Sequence, residues 1–232
     1  MIKMTHVKLE EPIVFGEGVV RLLVIESPKE FFSIVSELSS QLNGSEGDFC
    51  FWEEEKCLSA AKKGAMVTDL FSLEINDKKV TGLLYKNLEN LFSRGELAED
   101  FASRLSQEEM FMEKLSFLSP IPIEYDAPSF SDILKVHSVR VRDEGDTLLE
   151  KVVTYVTALA ALKDIAFIVF VNLKSVLTDK ELQSFYAHCE NEKIALLLIE
   201  SSLSRPIGEK EEATVITSDL CEIICKKTTI TV

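Results

Sequence analysis

Ile165-Ala166-Phe167-Ile168-Val169-Phe170-Val171 decides how this chain folds. Seven apolar residues without alternation mark a strand buried on both faces. Just upstream, Asp146-Thr147-Leu148-Leu149-Glu150 opens an amphipathic helix. Thr147 and Glu150 have capping-box spacing, so each side chain can satisfy an orphan N–H of the first turn. The helix is expected to run to about Lys163, where Lys163-Asp164 interrupts the pattern. Downstream, Thr178-Asp179-Lys180-Glu181 repeats the box and starts a helix of roughly twelve residues. Ile194 to Ile199 is the next apolar run. Strand, helix, strand at this spacing is a crossover unit, which makes the strands parallel and places helices beside them. The fold class is α/β, with a mostly parallel sheet.

Working outward, the N-terminal third alternates short strands with one helix. Val7-Lys8-Leu9 and Ile13-Val14-Phe15, split by Glu10-Glu11-Pro12, read as a small antiparallel element, and Val19 to Ile25 as the next strand. Ser27-Pro28-Lys29-Glu30 starts a helix with Ser at the cap, Pro first and Glu third, ending at Asn43-Gly44. Phe49 to Trp52 and Ala65 to Val67 are strands around a charged connection. From Lys79 to Leu118 the periodicity is helical, with two helices meeting near Arg94-Gly95. Pro120, Pro122 and Pro128 return the chain to irregular structure. The expected organisation is an α/β head from residues 1–78 and 138–232, with an α-helical leg inserted at 79–137. A two-helix leg buries little by itself, so its apolar stripe calls for another copy of the chain.

Composition sets further bounds. At 232 residues the chain fits one large domain or a core with an insertion. No apolar run is long enough to span a membrane, and no basic-then-apolar leader opens the chain, so a soluble cytoplasmic protein with no membrane partner is expected. Five cysteines without C-x-x-C spacing read as buried thiols, with Cys221 and Cys225 sharing one face of a strand and no zinc set nearby. The formal net charge of −14 argues against a generally basic nucleic-acid surface, though not against a local basic channel.

Catalytic signatures are missing. A phosphate loop needs G-x-x-x-x-G-K-[ST], whose backbone N–H groups cradle phosphates; Gly44-Ser45-Glu46-Gly47-Asp48 has no Lys or hydroxyl at the required place. The strand through Val171 ends in Asn172, where a magnesium-binding Asp would stand. Gly16-Glu17-Gly18 lacks the third glycine of a dinucleotide fingerprint, and no serine sits in G-x-S-x-G. His6, His137 and His188 are scattered, and His188 and Cys189, adjacent on a helix, point in different directions. No enzymatic activity is expected.

Two groups of charged residues carry the binding chemistry. Glu124-Tyr125-Asp126, with Asp132 further on, gathers carboxylates in a Pro-rich bend that backbone oxygens could complete as a calcium site. A second acidic cluster, Asp143-Glu144-Gly145-Asp146, suits a helix N-terminus. Among the basic residues, Lys62, Lys63, Lys78 and Lys79 flank the start of the leg, Arg94 and Arg104 lie on it, and Lys135, Arg140 and Arg142 follow. Arg140 and Arg142 alternate in a strand-like stretch and so share a face. In a closed ring each would be repeated by symmetry, and even an acidic chain could present a positive lumen.

Several segments, in order, resemble one family: the small accessory protein of type II-A CRISPR systems that takes part in acquiring new spacers. They are Glu11-Pro12, Val67-Thr68-Asp69, Asn87-Leu88-Glu89-Asn90 with Phe92, Ile123-Glu124-Tyr125-Asp126, Asp146 to Lys151, Phe170-Val171-Asn172 with Leu177-Thr178, and the apolar strand ending in Glu200. Each motif is short; their order, spacing and the matching length carry the resemblance. It implies a head related to P-loop ATPases with a degenerate nucleotide site, a helical leg, and a homotetrameric ring whose basic hole binds double-stranded DNA ends. It also implies calcium ions that stabilise the ring, with Glu124 and Asp126 the first choice of ligands, and partnership with the CRISPR integrase complex and the RNA-guided nuclease. The expected function is therefore a non-catalytic DNA clamp. A divergent nucleotide-binding ATPase and a protein-only scaffold are the alternatives.

Overall fold

The computed structural model describes residues 1–15, 18–143, 145–163 and 165–225. Gly16 and Glu17 of the glycine pair, Glu144 of the acidic cluster and Asp164 at the expected helix stop lie outside the described residues. The chain forms two compact units, Met1–Ile75 with Asp143–Val232, and Asn76–Arg142.

The first unit is built on a six-stranded sheet. Its strands are β3 (Val20–Ile25), β6 (Gly64–Val67), β7 (Phe167–Val171), β8 (Ala195–Glu200), β9 (Glu211–Ile216) and β10 (Glu222–Cys225), in the order β10-β9-β3-β8-β7-β6. All neighbours are parallel except β10, which pairs antiparallel with β9. The parallel pairing of β7 with β8 runs from Phe167↔Ala195 to Val171↔Ile199, as the crossover unit demands. A second sheet, wholly antiparallel, has the order β2-β1-β4-β5, with β1 Ile2–Thr5, β2 Ile13–Phe15, β4 Cys50–Glu53 and β5 Lys56–Leu58.

One face of the large sheet packs with the small sheet and helix α1 (Pro28–Leu42). Leu23, Ile25, Phe167, Val169, Leu197 and Ile199 meet Met4, Phe15, Ile34, Leu38 and Phe51 there. Phe167 stacks on Phe51 with ring centroids 4.6 Å apart and lies 5.7 Å from Phe15. Gly64 makes this packing possible: a Cβ there would meet the Phe167 ring at 2.4 Å and Leu42 at 2.5 Å. The alternate residues of the strands serve the opposite face, where Phe170 meets Phe185 edge-on at 5.4 Å. Phe185 belongs to α7 (Asp179–Asn191), and α6 (Leu148–Leu162) adds buried Val152, Val156 and Leu159. Both expected capping boxes form: Thr147 accepts from Glu150 N and Thr178 from Glu181 N, each acid bonding back to the cap.

The second unit contains α3 (Lys78–Phe92), α4 (Ala98–Leu118) and α5 (Phe130–Val136). Phe92, Phe101 and Phe130, one from each helix, form its aromatic centre: Phe92 and Phe130 stack at 4.4 Å, and Phe101 meets both edge-on. Tyr85 Oη donates to Leu134 O at 3.2 Å. Asn76 pins the other end of the unit by donating to Val141 O and accepting from Val141 N, at 2.9 and 2.8 Å.

Five local expectations need correction. Val7-Lys8-Leu9 is a turn; the partner of β2 is β1, whose Ile2 and Met4 alternate inward, while Leu9 N donates back to His6 O. Ser27 does cap α1, but its side chain makes no cap bond, and the Glu30 carboxylate, which would return a bond to the cap, accepts Lys8 Nζ at 2.6 Å instead. Arg140 and Arg142 lie in irregular chain and not in a strand, since Val141 gives its backbone groups to Asn76. Cys221 sits in a turn closed onto Thr217, and β10 begins one residue later, so Cys221 and Cys225 do not share a strand. Nor are the thiols generally buried: Cys50, Cys57 and Cys221 are exposed, and only Cys189 is buried, which raises its thiol to about 12.

Candidate nucleic-acid interface

Lys62 and Lys63 form the last turn of the short helix α2 (Ala60–Lys63) in the first unit. The other seven basic candidates belong to the second unit. Lys78 and Lys79 open α3, where positive charge opposes the helix dipole; Asp77 offsets it by accepting Val80 N at 2.7 Å. Desolvation lowers the Lys79 ammonium from its usual value, with Asp77 acting in the opposite sense. Arg104 pairs with Glu108 at 3.2 Å and lies 3.3 Å from His137 Nε2, and Lys135 pairs with Asp132 at 3.0 Å. Lys62, Lys78, Arg94 and Arg140 are exposed and carry no ion pair among the described residues. These four are the cations best prepared to meet phosphates, because they have no internal carboxylate to release first.

The three metal candidates do not behave alike. Glu124 and Asp126 are exposed in the Pro-rich segment. Asp132 is instead the third residue of α5, and both of its oxygens are engaged: Oδ2 accepts Ser129 N and Oγ at 3.1 and 2.6 Å, and Oδ1 takes Lys135. Those bonds, with Ser129 foremost, hold its carboxyl down at about 2. Among the described residues the three do not converge as a ligand group. The oxygen donors of Glu124 and Asp126 suit calcium, but Asp132 is better explained as a capping-box acid.

The carboxyl ends of the parallel strands are where an α/β sheet usually binds ligands, at the point where the winding reverses. Here the chain leaves β3 for the far edge at β6 and returns strand by strand, which puts the reversal beside β3 and β8. Only Glu26 and Ser27 separate β3 from α1. Asn172, at the end of β7 with φ 56°, uses Oδ1 to accept Ser201 N at 3.1 Å, tying the ends of β7 and β8 together. Glu200, at the end of β8, accepts Lys174 N at 2.8 Å, and Glu26 accepts Ser218 N at 3.2 Å. The side chains of Asn172, Glu200 and Glu26 are thus each braced against neighbouring backbone.

Beneath this rim lies a buried ionic network that the sequence reading missed. Lys174 Nζ meets Glu211 Oε2 at 2.5 Å, with both side chains almost inaccessible at 5% and 2%. Tyr186 Oη donates to Glu211 Oε1 at 2.6 Å, and Gly208 N donates to Oε2 at 2.7 Å. Burial foremost, then Glu211, pushes the Tyr186 phenol above its ordinary range. Burial likewise raises the Glu200 carboxyl to about 7, against the bonding and charge of Lys174. No short motif announces such a network, since its members come from three separate elements.

Comparison with known proteins places the chain. Over 98% of its length, and 100% of the other, it is similar to the solved dimer of an ATP-binding cassette in a post-hydrolysis state with ADP and Pi, at 10% identity. The TM-score of 0.44 is too low to assign a common fold. The chain is 26% identical over 184 residues to a protein of Streptococcus agalactiae named CRISPR-associated protein Csn2, spanning 78% of this chain and 80% of that one. The family model of the CRISPR-associated protein (Cas_Csn2) matches residues 41–220, well over half of the sequence, and the chain belongs to that family.

Proposed function

We propose that the chain acts in spacer acquisition as a non-catalytic clamp on the ends of double-stranded DNA, assembled as a homotetrameric ring that calcium stabilises. The observation that carries this reading is the family match over residues 41–220, which gives the chain a CRISPR-associated role in antiviral defence. The clamp would hold DNA for the integrase complex and the RNA-guided nuclease. Lys and Arg side chains would meet phosphates without reading bases, so affinity would fall steeply with salt and vary little with sequence.

The rim of the large sheet supports a binding role over nucleotide hydrolysis. A two-residue connection after β3 leaves no room for an eight-residue phosphate loop, and the Asn172 amide already braces Ser201. The nucleotide site is thus degenerate in this reading. For calcium, Glu124 and Asp126 supply hard oxygens, and carbonyls, water or another copy must complete the six to eight that calcium takes.

The test measures binding of linear and closed-circular duplex, with calcium or chelator, while light scattering follows mass. Tetramer-linked binding to linear duplex, much weaker on circles, is the expected result. Equal binding to circles would argue against obligatory threading from an end. A tetramer without DNA affinity in either condition would transfer the assignment to a protein-only scaffold. ATP turnover with magnesium, abolished by changing Asn172, would establish the ATPase alternative. The double variant Arg140→Ala/Arg142→Ala should stay tetrameric and bind more weakly; parental affinity would remove those two residues from the interface.

A further inference from the structure

We propose that His6, Glu37 and Asp48 form a binding site for a divalent first-row transition ion, of which zinc is the type. One ligand atom from each residue lies within 4.8 Å of the other two. The donors come from three separate places in the first unit: the end of β1, the middle of α1, and the loop entering β4. An ion there would staple the N-terminal strand and that loop onto α1.

The trio is held in position by its surroundings. His6 is 5% exposed, and its ring stacks on Phe49 with centroids 4.2 Å apart. Glu37 Oε2 lies 3.3 Å from His6 Nε2, while Oε1 accepts Asp48 N at 2.8 Å. The loop passes close over α1 at Gly47, where a Cβ would lie 2.6 Å from Gln41 Oε1 and 3.4 Å from Glu37 Oε1, the ends of two flexible side chains. Two carboxylates thus face each other beside an imidazole. Among the described residues neither carboxylate pairs with a Lys or Arg. A divalent cation would remove the repulsion between them.

The donor set selects the ion. One imidazole nitrogen with two carboxylate oxygens suits zinc, cobalt or manganese, whereas calcium takes oxygen alone. The site is therefore chemically distinct from Glu124 and Asp126. Binding has an identifiable cost. His6 Nδ1 accepts Lys8 N at 3.2 Å, so without metal the ring proton sits on Nε2, facing Glu37. For Nε2 to ligate, that proton must pass to Nδ1, and the Lys8 amide must swing away. Lys8 lies in the turn after β1, where its side chain bonds Glu30 and Ser33, so the amide moves against those contacts. Asp48 is exposed and can move inward to shorten the ligand spacing.

The experiment titrates the full chain with Co²⁺ and then Zn²⁺, following cobalt absorption and thermal unfolding. One ion per chain, a raised unfolding temperature, and cobalt bands without thiolate charge transfer are expected. Asp48→Asn, at an exposed position, and Glu37→Gln should each weaken binding about tenfold or more. They should also lose the metal-dependent rise in unfolding temperature. No saturation in the millimolar range, parental affinity in both variants, or thiolate charge transfer from the exposed cysteines would overturn the proposal.

Discussion

The two units solve the problem of burial in opposite ways. In the first, strands β7 and β8 are covered on both faces, and every strand of the large sheet except β10 contributes buried residues. In the second, among the described residues, only Val80 and Leu134 are buried, and α4 contributes none along 21 residues. Met110, Phe111, Leu115, Phe117 and Leu118 of that helix are exposed. The difference teaches where each unit obtains its order. The first carries its own apolar core; the second depends on an aromatic trio, caps and a backbone clamp.

The largest effects should therefore fall in the first unit. Phe167→Ala removes a fully buried ring stacked on Phe51 and should cost about 3–5 kcal/mol in denaturant unfolding. Phe101→Ala, in the half-buried trio, should cost only about 1–2 kcal/mol; an equal loss would break the contrast. Lys174→Met leaves Glu211 charged and buried and should also cost about 3–5 kcal/mol, much of it recovered on adding Glu211→Gln.

Next comes a pH effect confined to the first unit. A carboxyl raised in the fold favours folding when protonated. The Glu200 contribution is therefore full below its unfolded value near 4.5 and lost as pH rises through about 7. That difference corresponds to about 3 kcal/mol, and Glu200→Gln should flatten the stability profile across this window. An unchanged profile would remove Glu200 from the pH response.

Smaller effects sharpen the description of the second unit. Asn76→Ala should release Val141, costing about 1–2 kcal/mol and speeding amide exchange around residues 139–142. Ser129→Ala should cost about 1 kcal/mol through the lost cap of α5. Asp132 has the opposite sign to Glu200. Its lowered carboxyl supports the fold above the unfolded value near 3.8, and that support disappears as pH falls through about 2. Fraying of α5 by NMR between those limits would show it; α5 intact below pH 2 would refute it.

The sequence was most legible where one signal sufficed. The run through Phe167 to Val171 and the two Thr–Glu boxes fixed a strand and two helix starts, because each signal is local and strong. Helix α5 was hidden among prolines, although Ser129 and Asp132 carry the same box spacing. The turn at Val7 to Leu9 was misread because three residues cannot display a period. Site chemistry was harder still. Asp132 looked like a ligand because composition shows a carboxylate, whereas only geometry shows that Ser129 and Lys135 already hold it. His6, Glu37 and Asp48 are dozens of positions apart at the extremes, and only the packing of α1 under β1 brings them together.

The short link from Ile25 through Ser27 also constrains how this lineage can change. Building a phosphate cradle after β3 would demand added chain, with the start of α1 displaced to make room. No series of single-residue exchanges lengthens a connection. Laboratory selection for nucleotide turnover by point substitution alone should therefore stall at this junction, while libraries with codon insertions between Ile25 and Pro28 could pass it.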